Sequence, residues 1–398
     1  MALWRRLWRY PLLAAGLLVL LIGMWGGLLR TGWPWPWVAA ATVPYHGALM
    51  IGGFLGTLIC LERAVALGQR WTYLAPLAAA AAAFVLAAGV RASLGEMLLT
   101  LASALLVAQF VLIVYRQWAA FTIVMGLGAL AWLIGNLIWW SGRPLVDAVP
   151  WWTAFLVLTI AGERLELSRF LPRRPGQRPA FQVASGLYGA GVILGTWWPG
   201  LGWALAGVGL LSLAIWLAVF DLARRTVRQQ GLTRFVALCL LTGYFWLATA
   251  GVMAVIATVV LPLYQGLGGQ WVTMAPMAGL MYDAILHAIM LGFVFGMIFG
   301  HAPIIFPAVL GVRIIYRPVF YAHLALLEAS VALRITVDLL GWGVGRQWMA
   351  LGNVLAILLF LGVTVSSIRW IEASPSAPPA QDARPIQIDL EPPSDALR

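Results

Sequence analysis

Residues 1–27 read MALWRRLWRYPLLAAGLLVLLIGMWGG, an arginine-bearing start followed by an apolar run long enough to cross a membrane. A hydrocarbon core of roughly 30 Å needs about 20 such residues as an α-helix. Because no small-residue cleavage pattern follows the run, we expect an uncleaved first helix rather than a signal peptide. The chain continues in the same way, with 62% hydrophobic and 10% charged residues and a mean hydropathy of +0.91. This composition predicts a polytopic membrane protein.

Charges and Pro/Gly clusters divide the chain into twelve apolar segments, and helices are expected because lipid offers the backbone no hydrogen-bond partners. The segments cover residues 11–29, 43–65, 72–91, 95–115, 119–140, 150–168, 180–198, 201–222, 235–262, 274–301, 318–340 and 347–369. We therefore predict an all-α bundle of about twelve transmembrane helices, forming one domain over residues 1–371. The proline-rich, acidic residues 372–398 predict a disordered cytoplasmic tail.

The distribution of arginine predicts the orientation. All 25 basic residues are arginines, and twenty of them fall at one set of segment ends; the other five are Arg30, Arg91, Arg143, Arg334 and Arg346. Since basic loops stay on the cytoplasmic side, both termini are expected to be cytoplasmic in a multi-pass protein of the inner membrane. Tryptophans collect at the opposite ends, as in an interfacial aromatic belt. The net charge of +11 thus indicates orientation in a lipid bilayer, and we expect no nucleic-acid partner.

Two of the four histidines, His46 and His287, lie inside apolar segments at matching depth. His46 precedes Arg63 by 17 residues, about 25 Å of helix, and His287 precedes His301 by 14 residues, about 21 Å. Two neutral imidazoles facing across a gap are the ligands of a six-coordinate b-type heme. Asp283, one turn before His287, could fix the tautomer of that histidine or face the water interface. The alternative is that each histidine only hydrogen-bonds a neighbouring helix.

Three further ionisable residues are candidate functional residues, two histidines for a second metal site and one glutamate for a proton relay. His301 and His323 both fall toward the arginine-rich side, where they could bind copper or a second heme, or simply be interfacial residues in water. Glu328 lies in the middle of an apolar segment, which predicts a proton relay or a buried partner such as Arg334. Glu62, Arg63 and their neighbours at residues 163–166 predict salt bridges at helix ends.

YHGALMIGGFLGTLI around His46, LHAIMLGFVFGMIFGH over residues 286–301 and IIYRPVFYAHLALLEASVALR after them carry a family resemblance. They are similar to the NnrS family, within the heme-copper oxidase subunit I-like superfamily, of which the chain would be a divergent member. The resemblance implies a heme- and copper-containing membrane protein linked to nitric oxide metabolism. The sixth and seventh segments contain no histidine, so the three-histidine copper site of the oxidases is absent.

The sequence predicts a membrane protein that binds at least one heme b through His46 and His287, with copper as a second cofactor to be tested. It would act in electron transfer or in nitric oxide (small gas) metabolism, with a redox protein or a quinol as partner, and could be a heme-dependent oxidoreductase. Two alternatives remain: a proton-coupled secondary transporter, with the histidines and carboxylates as ligands, and a structural subunit of a respiratory complex.

Overall fold

The protein folds as a bundle of long helices in the computed structural model, which describes residues 2–36, 41–172, 174–260 and 274–370. The long helices of these ranges are α1 (Ala2–Arg30), α2 (Thr42–Leu67), α3 (Leu74–Ala88), α4 (Ala92–Arg116), α5 (Ala120–Trp140), α6 (Leu145–Ser168), α7 (Gln177–Gly195), α8 (Pro199–Phe220), α9 (Gly231–Val255), α10 (Met274–His287, Ala288–Phe295 and Gly296–Leu310), α11 (Phe320–Leu339) and α12 (Gly343–Ser366). The predicted tail at 372–398 lies outside the described residues.

Each of the twelve predicted segments coincides with a helix, which confirms an all-α polytopic membrane protein. Eleven helices of the described ranges are long and apolar enough to cross a membrane; α7 is the exception. Its first turns carry Gln177, Arg178 and Gln182, and its C-terminal half is rich in glycine, which lowers its hydropathy. Two boundaries differ by nine residues: the first helix begins at Ala2 rather than at residue 11, and the tenth continues past His301 to Leu310.

The bundle has a tryptophan-rich end and an arginine-rich end, and contacts between helix termini tie each end together. At the tryptophan-rich end, the Trp33 indole donates to the carbonyl oxygen of Gln347 at 3.1 Å and packs edge-on against Trp348. At the arginine-rich end, β1 (Val312–Ile314) pairs antiparallel with β2 (Ile368–Trp370) and ties the exit of α10 to the exit of α12. These contacts place the two ends of α12 at opposite ends of the bundle, as expected of a helix that crosses a membrane.

Sequential helices pack as antiparallel neighbours, and the core between α5 and α6 shows how their polar groups are satisfied. The Trp132 and Phe155 rings stack at 4.9 Å with an angle of 8° between their planes. Nearby, the Asn136 side chain accepts from the Trp152 indole at 2.9 Å and donates to the Ser103 hydroxyl at 3.0 Å. Buried polar groups in an apolar medium need such partners, and this network fixes the register of three helices.

Two of the longest helices contain a π-helical segment that begins within three residues after a predicted heme ligand. In α2 the segment is Leu49–Leu55, and in α10 it is Ala288–Phe295, which begins at the residue after His287. Phe54 and Phe295, one from each segment, stack with ring centroids 6.0 Å apart. π-helical turns are rare and concentrate at functional sites. Here they mark the same level in both helices.

Candidate functional site

His46 and His287 are held in the same way, each by a backbone carbonyl oxygen at Nδ1. His46 Nδ1 lies 2.7 Å from the carbonyl oxygen of Gly23 in α1, and His287 Nδ1 lies 2.7 Å from that of Asp283. A carbonyl oxygen only accepts hydrogen bonds, so in each neutral ring Nδ1 carries the hydrogen and the lone pair is on Nε2. Both imidazoles can therefore coordinate a metal through Nε2, with Nδ1 held by the fold.

Both histidines line one cavity of about 820 Å³ in the tryptophan-rich half of the bundle. Its walls come from α1, α2, α6, α10, α11 and α12 and are mainly apolar. The apolar lining residues are Met24, Leu28, Met50, Ile51, Leu55, Leu145, Val146, Val149, Leu280, Leu286, Met290, Leu291, Phe295, Val354 and Ile357. Sites of roughly 300–1,000 Å³ with apolar walls and a few convergent polar groups enclose small organic ligands. The cavity unites the two predicted ligand residues.

Gly27 makes room for the His46 ring against α1. A Cβ atom at this position would lie 2.7 Å from His46 Cε1 and 2.9 Å from Nδ1. No side chain is tolerated that close without moving the imidazole. Glycine at this position therefore allows the hydrogen bond from His46 to Gly23 to form.

Two arginines and two aspartates form a closed ring of ion pairs beside His287. Arg334 binds Asp283 at 2.7 Å and Asp338 at 3.0 Å, and Arg346 approaches the same two carboxylates at 3.0 and 3.4 Å. The Arg334 and Asp338 side chains are 3% and 0% exposed. Buried charges persist in an apolar environment only when they are paired in this way. The ring is neutral in sum and anchors α10 to α11 and α12.

The charged lining of the cavity is nonetheless positive. Arg30, Arg334 and Arg346 line it, with Asp283 as the acidic counterpart. Asp283 also lies near His287, with its carboxylate 3.4 Å from Nδ1, while its backbone carbonyl accepts the Nδ1 hydrogen bond. Asp283 therefore contacts His287 mainly through its main chain, and its predicted role in fixing the tautomer of a metal-binding histidine stays a prediction. The excess of arginine favours an anionic group at this edge of the cavity.

His301 lies near the arginine-rich end, and both of its nitrogens have partners. Nδ1 donates to the carbonyl oxygen of Met297 at 2.7 Å, and Nε2 accepts from the Arg164 guanidinium at 2.6 Å. Arg63 joins Glu62 and Glu163 in the same region, which confirms the predicted salt bridges between helix ends. In this arrangement His301 has no lone pair free for a metal.

His323 has different surroundings from His301. It is fully buried in α11, and its ring packs against four phenylalanines at centroid distances of 4.9 to 5.6 Å, namely Phe235, Phe299, Phe320 and Phe360. Neither ring nitrogen has a hydrogen-bond partner among the described residues. Within those residues no three or more His, Cys, Asp or Glu side chains cluster to hold a metal ion. The copper site at His301 and His323 stays a prediction.

Glu328 has a partner other than the expected one. Its Oε2 accepts from the Trp246 indole of α9 at 2.5 Å, whereas Arg334 is engaged by Asp283 and Asp338. The interpretation of Arg334 as the partner of Glu328 is therefore wrong, because Arg334 lies about one and a half turns further along α11 and pairs with carboxylates at that level. The proton-relay role of Glu328 stays a prediction.

Sequence reasoning missed Arg30, Arg346 and Asp338 as site residues. A signal for the arginines was present, because both belong to the five that lie at the tryptophan-rich end against the general distribution. Arg334 belongs to the same five and also lines the cavity. Arginines that depart from the orientation rule are therefore useful markers of a site.

The fold and site define a polytopic helical membrane protein with a histidine-lined cavity inside the bundle. The chain belongs to the family described as "Domain of unknown function (DUF8744)", whose model matches residues 9–369 and so covers the helical bundle. No curated protein and no solved structure matches the chain.

Proposed function

We propose that the protein binds one b-type heme in the cavity, with His46 and His287 as its axial ligands. The observation that carries the proposal is that both rings line the same cavity, each with Nδ1 bound to a carbonyl oxygen and Nε2 left to coordinate. The matched π-helical segments that follow the histidines support it. The resemblance of these stretches to the NnrS family supports the same cofactor.

The remaining lining residues fit a heme in charge and polarity. A heme b carries two carboxylates on one edge of an otherwise apolar macrocycle. Arg30, which lies outside the neutral ring of ion pairs, would bind those carboxylates at the tryptophan-rich edge together with the partly exposed Arg346, and Met50, Leu291 and Phe295 would shield the macrocycle from water. When bound, the heme supplies one-electron chemistry, and binds a small gas if one histidine is displaced. The protein residues hold it, orient its ligands and neutralise its carboxylates.

We infer electron transfer in the cytoplasmic membrane as the cellular role, with nitric oxide as the small gas to test. Two protein ligands leave the iron without an open position, which favours electron transfer over catalysis. The arginine distribution supports an orientation with both termini in the cytoplasm. The heme would then lie in the outer half of the membrane.

The first test is an absorption spectrum of the full-length protein, purified in detergent after expression with sufficient heme. We expect the sharp reduced bands of a six-coordinate b heme, and a pyridine hemochrome assay should give one heme per chain. A colourless protein under these conditions would discard the proposal.

Replacing Gly27 by alanine should weaken heme binding. The new Cβ would lie 2.7 Å from His46 Cε1, so the ring must move away from Gly23 and lose its hydrogen bond. The loss of one such bond corresponds to an affinity about tenfold lower. Heme titration of the purified, heme-depleted variant measures it. Gly189→Ala in α7 is the control, because a Cβ there meets nothing within 4 Å, and its affinity should match the wild type.

A further inference from the structure

A second cavity, of about 180 Å³, lies between α6, α7, α8 and α10 near the tryptophan-rich end. Three hydroxyl groups on its lining residues are buried and have no hydrogen-bond partner among the described residues: those of Tyr188, Thr196 and Tyr282. Tyr188 is 2% exposed. We call this space the hydroxyl cavity. An unsatisfied buried hydroxyl is costly, so three around one space indicate a ligand that hydrogen-bonds them.

The chemistry of the hydroxyl cavity selects the kind of ligand. Its charged lining residues, Arg143 and Asp147, bind each other at 2.9 Å, so the cavity presents no unpaired charge. The rest of the wall is mostly apolar, including Val192, Leu210 and Ile289. Neutral hydroxyls in an apolar wall match a neutral, largely apolar molecule with oxygen atoms on separate edges. An anion or a metal ion would lack a charged partner here.

We propose that the hydroxyl cavity binds the headgroup of an isoprenoid quinone or quinol. Such a headgroup is a flat ring with oxygens at opposite edges, and its tail is soluble in the bilayer around the helices. Tyr188 lies within α7 and Thr196 directly follows it, whereas Tyr282 lies in α10. Hydroxyls on two walls can therefore bind oxygens on two edges of one ring.

The hydroxyl cavity lies next to the cavity lined by His46 and His287. It shares Val146, Tyr282 and Leu286 with the histidine cavity, so one layer of side chains separates the two. Leu286 is the residue before His287. A quinone bound here would be the immediate redox neighbour of the proposed heme. This assignment of the redox partner rests on the proposed function, whereas the binding site does not.

The test is calorimetric titration of quinone-free protein in nanodiscs with decylubiquinone and, separately, menadione. Empty nanodiscs measure partition into lipid. We expect saturable binding of at least one probe, weakened about five- to tenfold by Tyr188→Phe and by Tyr282→Phe, since each loses one hydrogen bond. The control is Tyr244→Phe, because Tyr244 is a buried tyrosine that lies outside this cavity, beside Asp221 and Arg164, and the affinity of this variant should not change.

Two results would overturn the proposal: neither probe binding above the empty nanodiscs, or equal affinity in the wild type and the Tyr188→Phe, Tyr282→Phe double variant. His46→Ala separates this proposal from that of the heme. If the heme is lost in that variant and quinone binding is retained, both assignments hold. A protein that binds quinone but never heme would leave the hydroxyl cavity supported and remove the proposed function.

Discussion

Replacement of either His46 or His287 by alanine is expected to abolish the six-coordinate heme spectrum. Alanine removes an axial ligand entirely, and no other histidine lines the cavity to replace it. We expect the purified variants to contain less than about a tenth of the wild-type heme, because a metal–imidazole bond is worth more than one hydrogen bond, which alone accounts for a factor of ten. Heme content is measured by pyridine hemochrome and compared with protein concentration.

The matched control is His323→Phe. His323 is a buried histidine in a neighbouring helix of the same bundle, but phenylalanine rings surround it and it does not line the cavity. A phenylalanine there adds an apolar ring to an apolar cluster, so the variant should keep its heme. Equal loss of heme in His323→Phe and His46→Ala would show that the histidines act through folding rather than coordination. Retention of the full spectrum in His287→Ala would contradict the ligand assignment.

Arg334→Gln should be the most destabilising single charge removal at the tryptophan-rich end. Arg334 bonds Asp283 and Asp338 from a side chain that is 3% exposed, and its loss leaves carboxylates without adequate compensation. Breaking a buried pair from one side costs about 3–5 kcal/mol. The free energy of unfolding, from denaturant titration in mixed micelles at equal heme content, measures the effect. The double variant Arg334→Met, Asp338→Leu removes one charge of each sign and should recover part of the loss.

Arg143→Gln is the control for this prediction. Arg143 and Asp147 are also an arginine and an aspartate four residues apart, but their side chains are 48% and 32% exposed. Solvent screens such a pair, so its removal should cost at most about 1 kcal/mol. Similar losses in Arg334→Gln and Arg143→Gln would mean that burial of the ion-pair ring does not determine its energetic importance.

The positions of the helices could be predicted from sequence because lipid imposes one simple requirement. Apolar runs bounded by charges, such as residues 95–115, coincide with helices, since no other local structure satisfies the backbone in lipid. The bounds were less accurate where that requirement is weaker. The tenth segment was expected to end at His301, but Pro303 and Pro307 are both accommodated in α10. Prolines are tolerated within a transmembrane helix where neighbouring groups satisfy the freed backbone carbonyls.

The matched depth of the two histidines was predictable from sequence, whereas the geometry of the cavity that they line was not. Depth along two helices could be counted, so His46 and His287 were found; which helix faces meet depends on tertiary packing that no single segment encodes. Asp338 illustrates the difference. Its carboxylate is fully buried and bonded to Arg334 and Arg346, yet in sequence it looks like an ordinary residue at a helix end. Its partner Arg346 lies on another helix, beyond the reach of any local pattern.

The π-helical segments of α2 and α10 allow the two halves of each helix to face different directions around the helix axis. A π-helical turn closes its hydrogen bond one residue later than an α-helical turn, so the helix resumes rotated by up to about 100° for each residue accommodated. In α2, the half that carries His46 can therefore face a different direction from the half that carries Arg63. The same holds in α10 for the halves that carry His287 and His301. Conversion of Leu49–Leu55 to α-helix without loss of a residue would rotate the half that carries His46 by up to about 100° relative to the half that carries Arg63, and would so turn His46 away from His287.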